Sequence, residues 1–195
     1  MIVQDIISLI QIRSQHIGVT EDTHSMIIFI NMALSELYRR FNLSIKSETI
    51  VTSPDLALYE LRNEDVQILL SLFEKTGREL VQSDVLGSSC YDYKMVNYKS
   101  FLLNKPKDGY LYAVYKASPI PLKDIEDKIL LPDCMLNPML TYISYLTNDT
   151  INRDNKNEAS MFIQLFDKQC QELENQGYKV ALNTETLAIQ AKGFV

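Results

Sequence analysis

Apolar residues recur every three or four positions near both ends of this chain and alternate with polar residues through its middle. Ile2, Val3, Ile6, Ile7 and Ile10 share one helical face, which predicts a short amphipathic helix packed on the next one. Gly18 interrupts the pattern, and Thr20 or Thr23 is the expected cap of a second helix, with Glu21 and Asp22 near the positive end of its dipole. That helix buries Ile27, Ile30, Ala33, Leu34, Leu37, Tyr38 and Phe41 and turns Asn31, Ser35, Glu36, Arg39 and Arg40 outward. Farther along, Leu136, Met139, Leu140, Ile143 and Leu146 predict a third helix, capped at Asp133 or begun later with Asn137 as cap and Pro138 as its first residue. A polar connection over 148–157 leads to a fourth, with Ala159, Phe162, Ile163, Phe166, Cys170 and Leu173 on one face and Gly177 as the residue that ends it. Helices joined this way are expected to pack as an antiparallel pair.

Between the helical regions the period falls to two. Ile45 alternates with Lys46 and Ser47, and the β-branched run Thr49 to Thr52 ends at the turn Ser53-Pro54-Asp55. Leu56, Leu58 and Leu61 then mark a returning strand or a short ordered loop. Val66 to Phe73 and Leu80-Val81 flank a turn in which Gly77 supplies positive φ, so a hairpin is expected there. The polar stretch 82–97, interleaved with Tyr91, Tyr93 and Tyr98, reads as a long loop with aromatic anchors. Phe101 to Leu103, the turn Pro106 to Gly109, and Tyr110 to Ala117 read as a second hairpin, which Pro119 and Pro121 terminate. The fold class is therefore α+β and mainly helical. Helices within 2–41 and 133–177 pack together as one domain over 1–177, with a β-rich insert at 43–118 and an extended C-terminal arm at 178–195.

Length adds one bound: 195 residues suit a single domain, with or without an arm, better than two full domains. Charge adds another. A net charge of -6 and a pI near 5.0 argue against a basic face gripping nucleic acid. Arg39-Arg40 reads as a solvated pair at a helix end. Cys90, Cys134 and Cys170 are far apart and form no CxxC pair, so neither a disulfide framework nor a zinc knuckle is implied, and assembly in a reducing compartment is expected. The first residues lack the basic region of a signal peptide, and no apolar run approaches the roughly 18 residues that span a bilayer, so no membrane partner is expected.

Candidate chemistry is sparse. His16 and His24 lack Cys or carboxylate partners at metal-motif spacing; Asp22 beside His24 is the nearest arrangement, and ordinary polar roles explain it better. The phosphate-cradling and nucleophile-elbow glycine patterns are absent. Glu64-Asp65 and Asp124, Glu126 and Asp127 sit beside turn signals, where solvated loop charge accounts for them. Tyr110, Tyr112 and Tyr115 fit strand positions with surface hydroxyls, and the acidic balance weighs against their stacking on single-stranded nucleic acid. No catalytic residue, cofactor or metal ligand is expected.

The residues after Gly177 are apolar without a helical stripe. Val180, Leu182, Leu187, Ile189 and Phe194 would otherwise stay in water at roughly 25 cal/mol per Å² of apolar area, so they are the expected arm contacts with a partner surface. Folding back on the same subunit is the alternative.

The order of elements carries more than any motif. A helix, a long helix, hairpins, Pro119-x-Pro121 with Ile129-Leu130-Leu131-Pro132, a helix bearing Tyr142 and Tyr145, and a final helix resemble the head-to-tail connector, or adaptor, family of tailed phages, including the tail tubular A type. The likeness spans residues 2–177, with Tyr110 to Ala117, Leu131-Pro132, Leu140 to Leu146 and Met161 to Gln176 as the matching segments. The scarcity of Ala in Leu140 to Leu146 and the long 82–97 stretch depart from the family and imply a divergent branch.

The resemblance implies a structural, non-enzymatic virion protein at the head-tail junction, assembled in the host cytoplasm. About twelve copies would form a ring below the portal protein, with symmetry doing the closing. The arm would reach the portal or a neighbouring subunit, and the Tyr91, Tyr93 and Tyr98 loop would meet a tail nozzle or the next tail component. Genomic DNA would pass through the channel without sequence-specific binding. Acidic charge would let DNA slide, or simply keep the free subunit soluble. Another neck protein, for head closure or tail completion, and a non-viral intracellular binding module are the rival readings.

Overall fold

The computed structural model describes residues 1–13, 22–84, 92–151 and 156–178. It is a mixed α+β chain in which helices from both ends flank a central β region. Two compact units emerge, Met1–Leu43 with the described residues from Pro119 onward, and Ser44–Ser118. Each has its own apolar core, where the length of the chain led to an expectation of one.

The helical unit holds α1 (Val3–Arg13), α2 (Thr23–Arg40), α3 (Leu136–Ile151) and α4 (Lys156–Asn175). One core gathers Ile6 and Ile10 from α1, Ile30, Leu34 and Leu37 from α2, Met139 and Ile143 from α3, and Phe166, Cys170 and Leu173 from α4. The N-terminal and C-terminal helices thus bury their apolar stripes against one another.

The proline-bearing segment between the β region and α3 is fastened to α1 and α2. Val3 and Gln4 donate backbone N–H to the carbonyls of Asp127 and Ile125 at 3.1 and 2.9 Å, and Ile2 bridges Lys128. The Asn31 side chain brackets Leu122, donating to its carbonyl and accepting from its N–H, both at 2.9 Å. The Tyr38 hydroxyl donates to the Leu130 carbonyl at 3.0 Å. A segment that cannot join a sheet is in this way given partners for its backbone.

Local details correct three expectations. The cap of α2 is Asp22, whose carboxylate accepts from the N–H groups of His24 and Ser25, and not Thr23; Thr20 lies outside the described residues. The start of α3 is neither Asp133 nor Asn137: a 3-10 turn over Asp133–Met135 runs directly into α3 at Leu136, leaving Pro138 in the first turn, where its missing N–H costs nothing. Asn148 belongs to α3 and not to a connection; it is fully buried, and its amide donates to the Ser144 carbonyl at 2.8 Å. Gly177 ends α4 as expected. It has φ 88°, and the bonds Tyr178 N–H to Leu173 O and Gly177 N–H to Glu174 O form the Schellman arrangement.

The other unit contains β1 (Ile45–Thr52), β2 (Leu58–Glu60), β3 (Val66–Glu74), β4 (Val81–Gln82), β5 (Asp92–Met95), β6 (Ser100–Leu103) and β7 (Gly109–Ala117). They form two sheets, β1-β7-β3 and β2-β6-β5-β4. Ile50, Leu69, Leu111, Ala113 and Tyr115 of the first share a core with Tyr59, Tyr93, Phe101 and Leu103 of the second. Phe73 and Val114 on the opposite face make a smaller cluster with Ile45, Leu70 and Tyr112.

Strand partnership departs from the expected hairpins. The β6 and β7 strands do not pair with each other; β6 lies between β2 and β5, while β7 lies between β1 and β3. The Leu58 strand returns to β6 and not to β1. The turn after β3 closes a hairpin only a few bonds deep, with Glu74 N–H to Arg78 O and Leu80 N–H to Leu72 O both at 2.8 Å and Gly77 at φ 82°. The chain then leaves for the second sheet, where β4 pairs parallel with β5.

Candidate functional site

The residues expected to carry contacts fall in three places. Val180, Leu182, Leu187, Ile189 and Phe194 lie outside the described residues, and so does Tyr91. Tyr93 is no loop anchor: it sits in β5 with 2% of its surface exposed, its ring edge-on to Phe101 at 6.0 Å. Burial, and then the charge of Glu79, push its phenol above the ordinary value of 10.0. Tyr98 is exposed, on a turn fixed by the Asn97 carboxamide oxygen, which accepts from the N–H groups of Lys99 and Ser100 at 2.9 and 2.8 Å. The structure therefore separates Tyr93 from Tyr98, which the sequence pattern places in one loop.

The helical unit carries a shallow groove of about 450 Å³ between α2 and α3, lined by Ile28, Asn31, Met32, Ser35, Glu36, Arg39 and Tyr142. Ile28 and Met32 are each 46% exposed. One turn apart on α2, they point away from the buried stripe. Below them, Arg39 Nε donates to Glu36 at 2.8 Å, and the pairing raises the guanidinium pKa further. Tyr142 lies 4.8 Å from the Phe166 ring and 5.6 Å from Tyr145, and burial with the nearby Glu36 carboxylate raises its pKa, so the phenol stays protonated at neutral pH.

Ile28 and Met32 belong to neither the apolar nor the polar face predicted for α2. The signal was available, because an i, i+4 apolar pair opposite a complete core stripe has no place in the same core. The same pattern recurs on α4, where Met161 and Leu165 are 69% and 44% exposed and again lie opposite the buried face.

Arg39 and Arg40 were expected to be solvated alike, and they differ. Arg40 reaches Asp167 at 2.6 Å and Glu174 at 3.1 Å on α4, with its guanidinium 5.8 Å from the Phe166 ring. It ties two helices together, with its guanidinium engaged by two carboxylates and an aromatic face.

A second concavity, about 310 Å³, lies in the β unit where the turns after β3 and β6 meet; its rim includes Lys75, Lys105 and Lys107 together with Glu74 and Asp108. The Thr52 hydroxyl donates to the Lys107 carbonyl at 2.7 Å and holds one wall in place. Mixed charge of this kind gives a polar rim without a convergent set of acid, base and nucleophile.

The acid pairs have structural duties. Asp65 receives Lys46 and lies beside the Tyr115 hydroxyl, while Asp127 accepts from the N–H groups of Lys123 and Asp124 at 2.6 and 3.0 Å. Cys170 is buried against α2, and loss of solvation pushes its thiol up to about 12, the reverse of an activated nucleophile. Among the described residues no group of three or more His, Cys, Asp or Glu is placed to hold a metal ion. None of the described helices is long and apolar enough to cross a membrane. Compared with protein-family models and with curated proteins, the sequence matches none.

Proposed function

We propose that the chain is a non-enzymatic structural subunit of a tailed-phage virion: the ring adaptor between the portal and the tail, extending the channel through which DNA is retained and ejected. The supporting observation is the order of elements around one core. Two N-terminal helices and two C-terminal helices bury a common apolar interior, and the β unit enters between them as an insert. That is the arrangement the connector resemblance implies.

In this reading the helical unit contacts neighbouring subunits and the portal, and the apolar residues after Gly177 reach a partner. A tail nozzle or the next tail component docks below, with Tyr98 as a candidate contact. Acidic charge keeps the channel wall from holding DNA phosphates.

The test is light scattering of the full chain, alone and mixed with assembled portal of the same virion. A stoichiometric ring complex is expected, and removal of residues 178–195 is expected to abolish it while leaving the circular dichroism of the rest unchanged. Failure to bind portal sinks the adaptor reading. Rings that bind a different neck component would assign the chain to head closure or tail completion, and a persistent monomer without portal affinity would favour a non-viral binding module.

A further inference from the structure

The outer faces of α2 and α4 carry matching stripes. On α2, Ile28, Met32, Glu36 and Arg39 follow one another at intervals of three or four residues; on α4, Met161, Leu165, Lys168 and Glu172 do the same. At about 100° per residue both series stay within a narrow sector of their helix, facing away from the shared core. Ile28, Met32, Met161 and Leu165 are all exposed, as are Arg39, Lys168 and Glu172. Laid side by side in the same direction, apolar meets apolar twice, then acid meets base and base meets acid, with the register holding to within one residue.

We propose that α4 of one copy docks along α2 of a second copy, with Met161 and Leu165 entering the groove beside Ile28 and Met32. Lys168 then faces Glu36, and Glu172 faces Arg39. Each copy offers a groove on one helix and a ridge on another, so the contact is head-to-tail and leaves both outer partners unsatisfied until a ring closes. The proposal deepens the ring reading, and it rests on that reading for closure alone. Two features choose a second copy as the occupant. Its ridge carries the apolar pair that the groove lacks a partner for, and its charges are opposite in sign at both positions.

Glu36 and Arg39 already pair within α2, so reversing both keeps that pair and changes only what a neighbour meets. The experiment is sedimentation of the full chain over about a hundredfold range of concentration, since association of this kind is concentration-dependent. The wild type is expected to gain mass above 22.4 kDa as concentration rises. Glu36→Lys with Arg39→Glu weakens the association about tenfold or more, as does Lys168→Glu with Glu172→Lys, because each places like charges in register. The chain carrying all four substitutions regains it. Leu165→Asp abolishes it, and unchanged thermal melts of every variant show that the fold is intact.

A wild type that stays monomeric overturns the proposal, as do charge reversals without effect or a fourfold variant that does not recover. Rings that persist through every reversal overturn this interface and leave the adaptor reading standing. Stripe-dependent association without portal binding does the opposite.

Discussion

Tyr93 and Tyr98 are five positions apart in a stretch that the sequence pattern treats as one loop, and replacing each by Ala separates a packing residue from a surface one. Tyr93 is 2% exposed and meets Phe101 edge-on at 79°, while Phe101 is fully buried and stacks on Tyr59 at 5.9 Å. Truncation at Tyr93 therefore removes one outer ring of a three-ring cluster, centred on Phe101, that joins β5, β6 and β2. Large aromatic deletions in cores cost about 3–5 kcal/mol, within which the edge-to-face contact accounts for about 0.5–1.5 kcal/mol. Tyr98 is 55% exposed, and a surface truncation of that kind stays within about 0.5 kcal/mol. Because the chain has two cores, global denaturation mixes their responses. The better assay is native-state hydrogen exchange of the peptide covering 92–103, where Tyr93→Ala should speed exchange by about two to four orders of magnitude and Tyr98→Ala by almost none. The packing argument fails if Tyr93→Ala costs less than about 1 kcal/mol, or if both variants behave alike.

Three further outcomes follow from the helical unit. Asp127 is held below its ordinary 3.8 by the N–H groups of Lys123 and Asp124, so its contribution to stability is present above pH 3.8 and is lost as pH falls through the lower folded value. Asp127→Asn should flatten that acid limb, and an NMR titration midpoint at or above 3.8 contradicts the geometry. In a variant whose other cysteines are serine, Cys170 should resist a disulfide reagent at pH 8. A thiol raised from 9.0 to about 12 has about a thousandfold less thiolate, and rapid labelling of the native chain would show the site to be open. Gly177→Ala meets no atom within 4 Å but must hold φ 88°, so it should cost about 1–2 kcal/mol and fray the end of α4; an unchanged melt would remove the strain argument.

The helices were legible because each has a single buried stripe with period 3.6, and the residues read as core on α2, α3 and α4 are largely the ones that are buried. Gly177 and Gly77 were legible too, since a turn that needs positive φ leaves few alternatives to Gly. Strand partners were not. The alternation in β7 puts Leu111, Ala113 and Tyr115 on the core side, yet nothing in it says that β1 and β3 are the neighbours. A period of two fixes a face, while partnership depends on contacts between residues far apart in sequence. Short strands are harder still: the Asp92–Met95 strand has one fully buried residue, Tyr93, with Met95 only partly buried against the same core, and four residues alternating over so short a span look like a loop. Asn148 misled for a different reason. Its polarity suggested a connection, but an amide that donates to a carbonyl one turn back can be buried inside a helix.

What the core does not use is the remaining guide to function. A lone exposed Ile or Met is ordinary, because every soluble protein leaves much apolar surface in water. An i, i+4 pair opposite a complete core stripe is a more demanding pattern, and here it occurs on two helices of one unit, each time followed by a pair of charges of opposite order. Helix propensity does not require Met at 161 or Ile at 28, and α2 and α4 are already anchored to each other by Arg40, Asp167 and Glu174. The second stripe therefore contributes nothing to closing this core. It makes physical sense as a surface whose partner arrives from another molecule, which is the property a ring-forming subunit needs and a self-sufficient monomer does not.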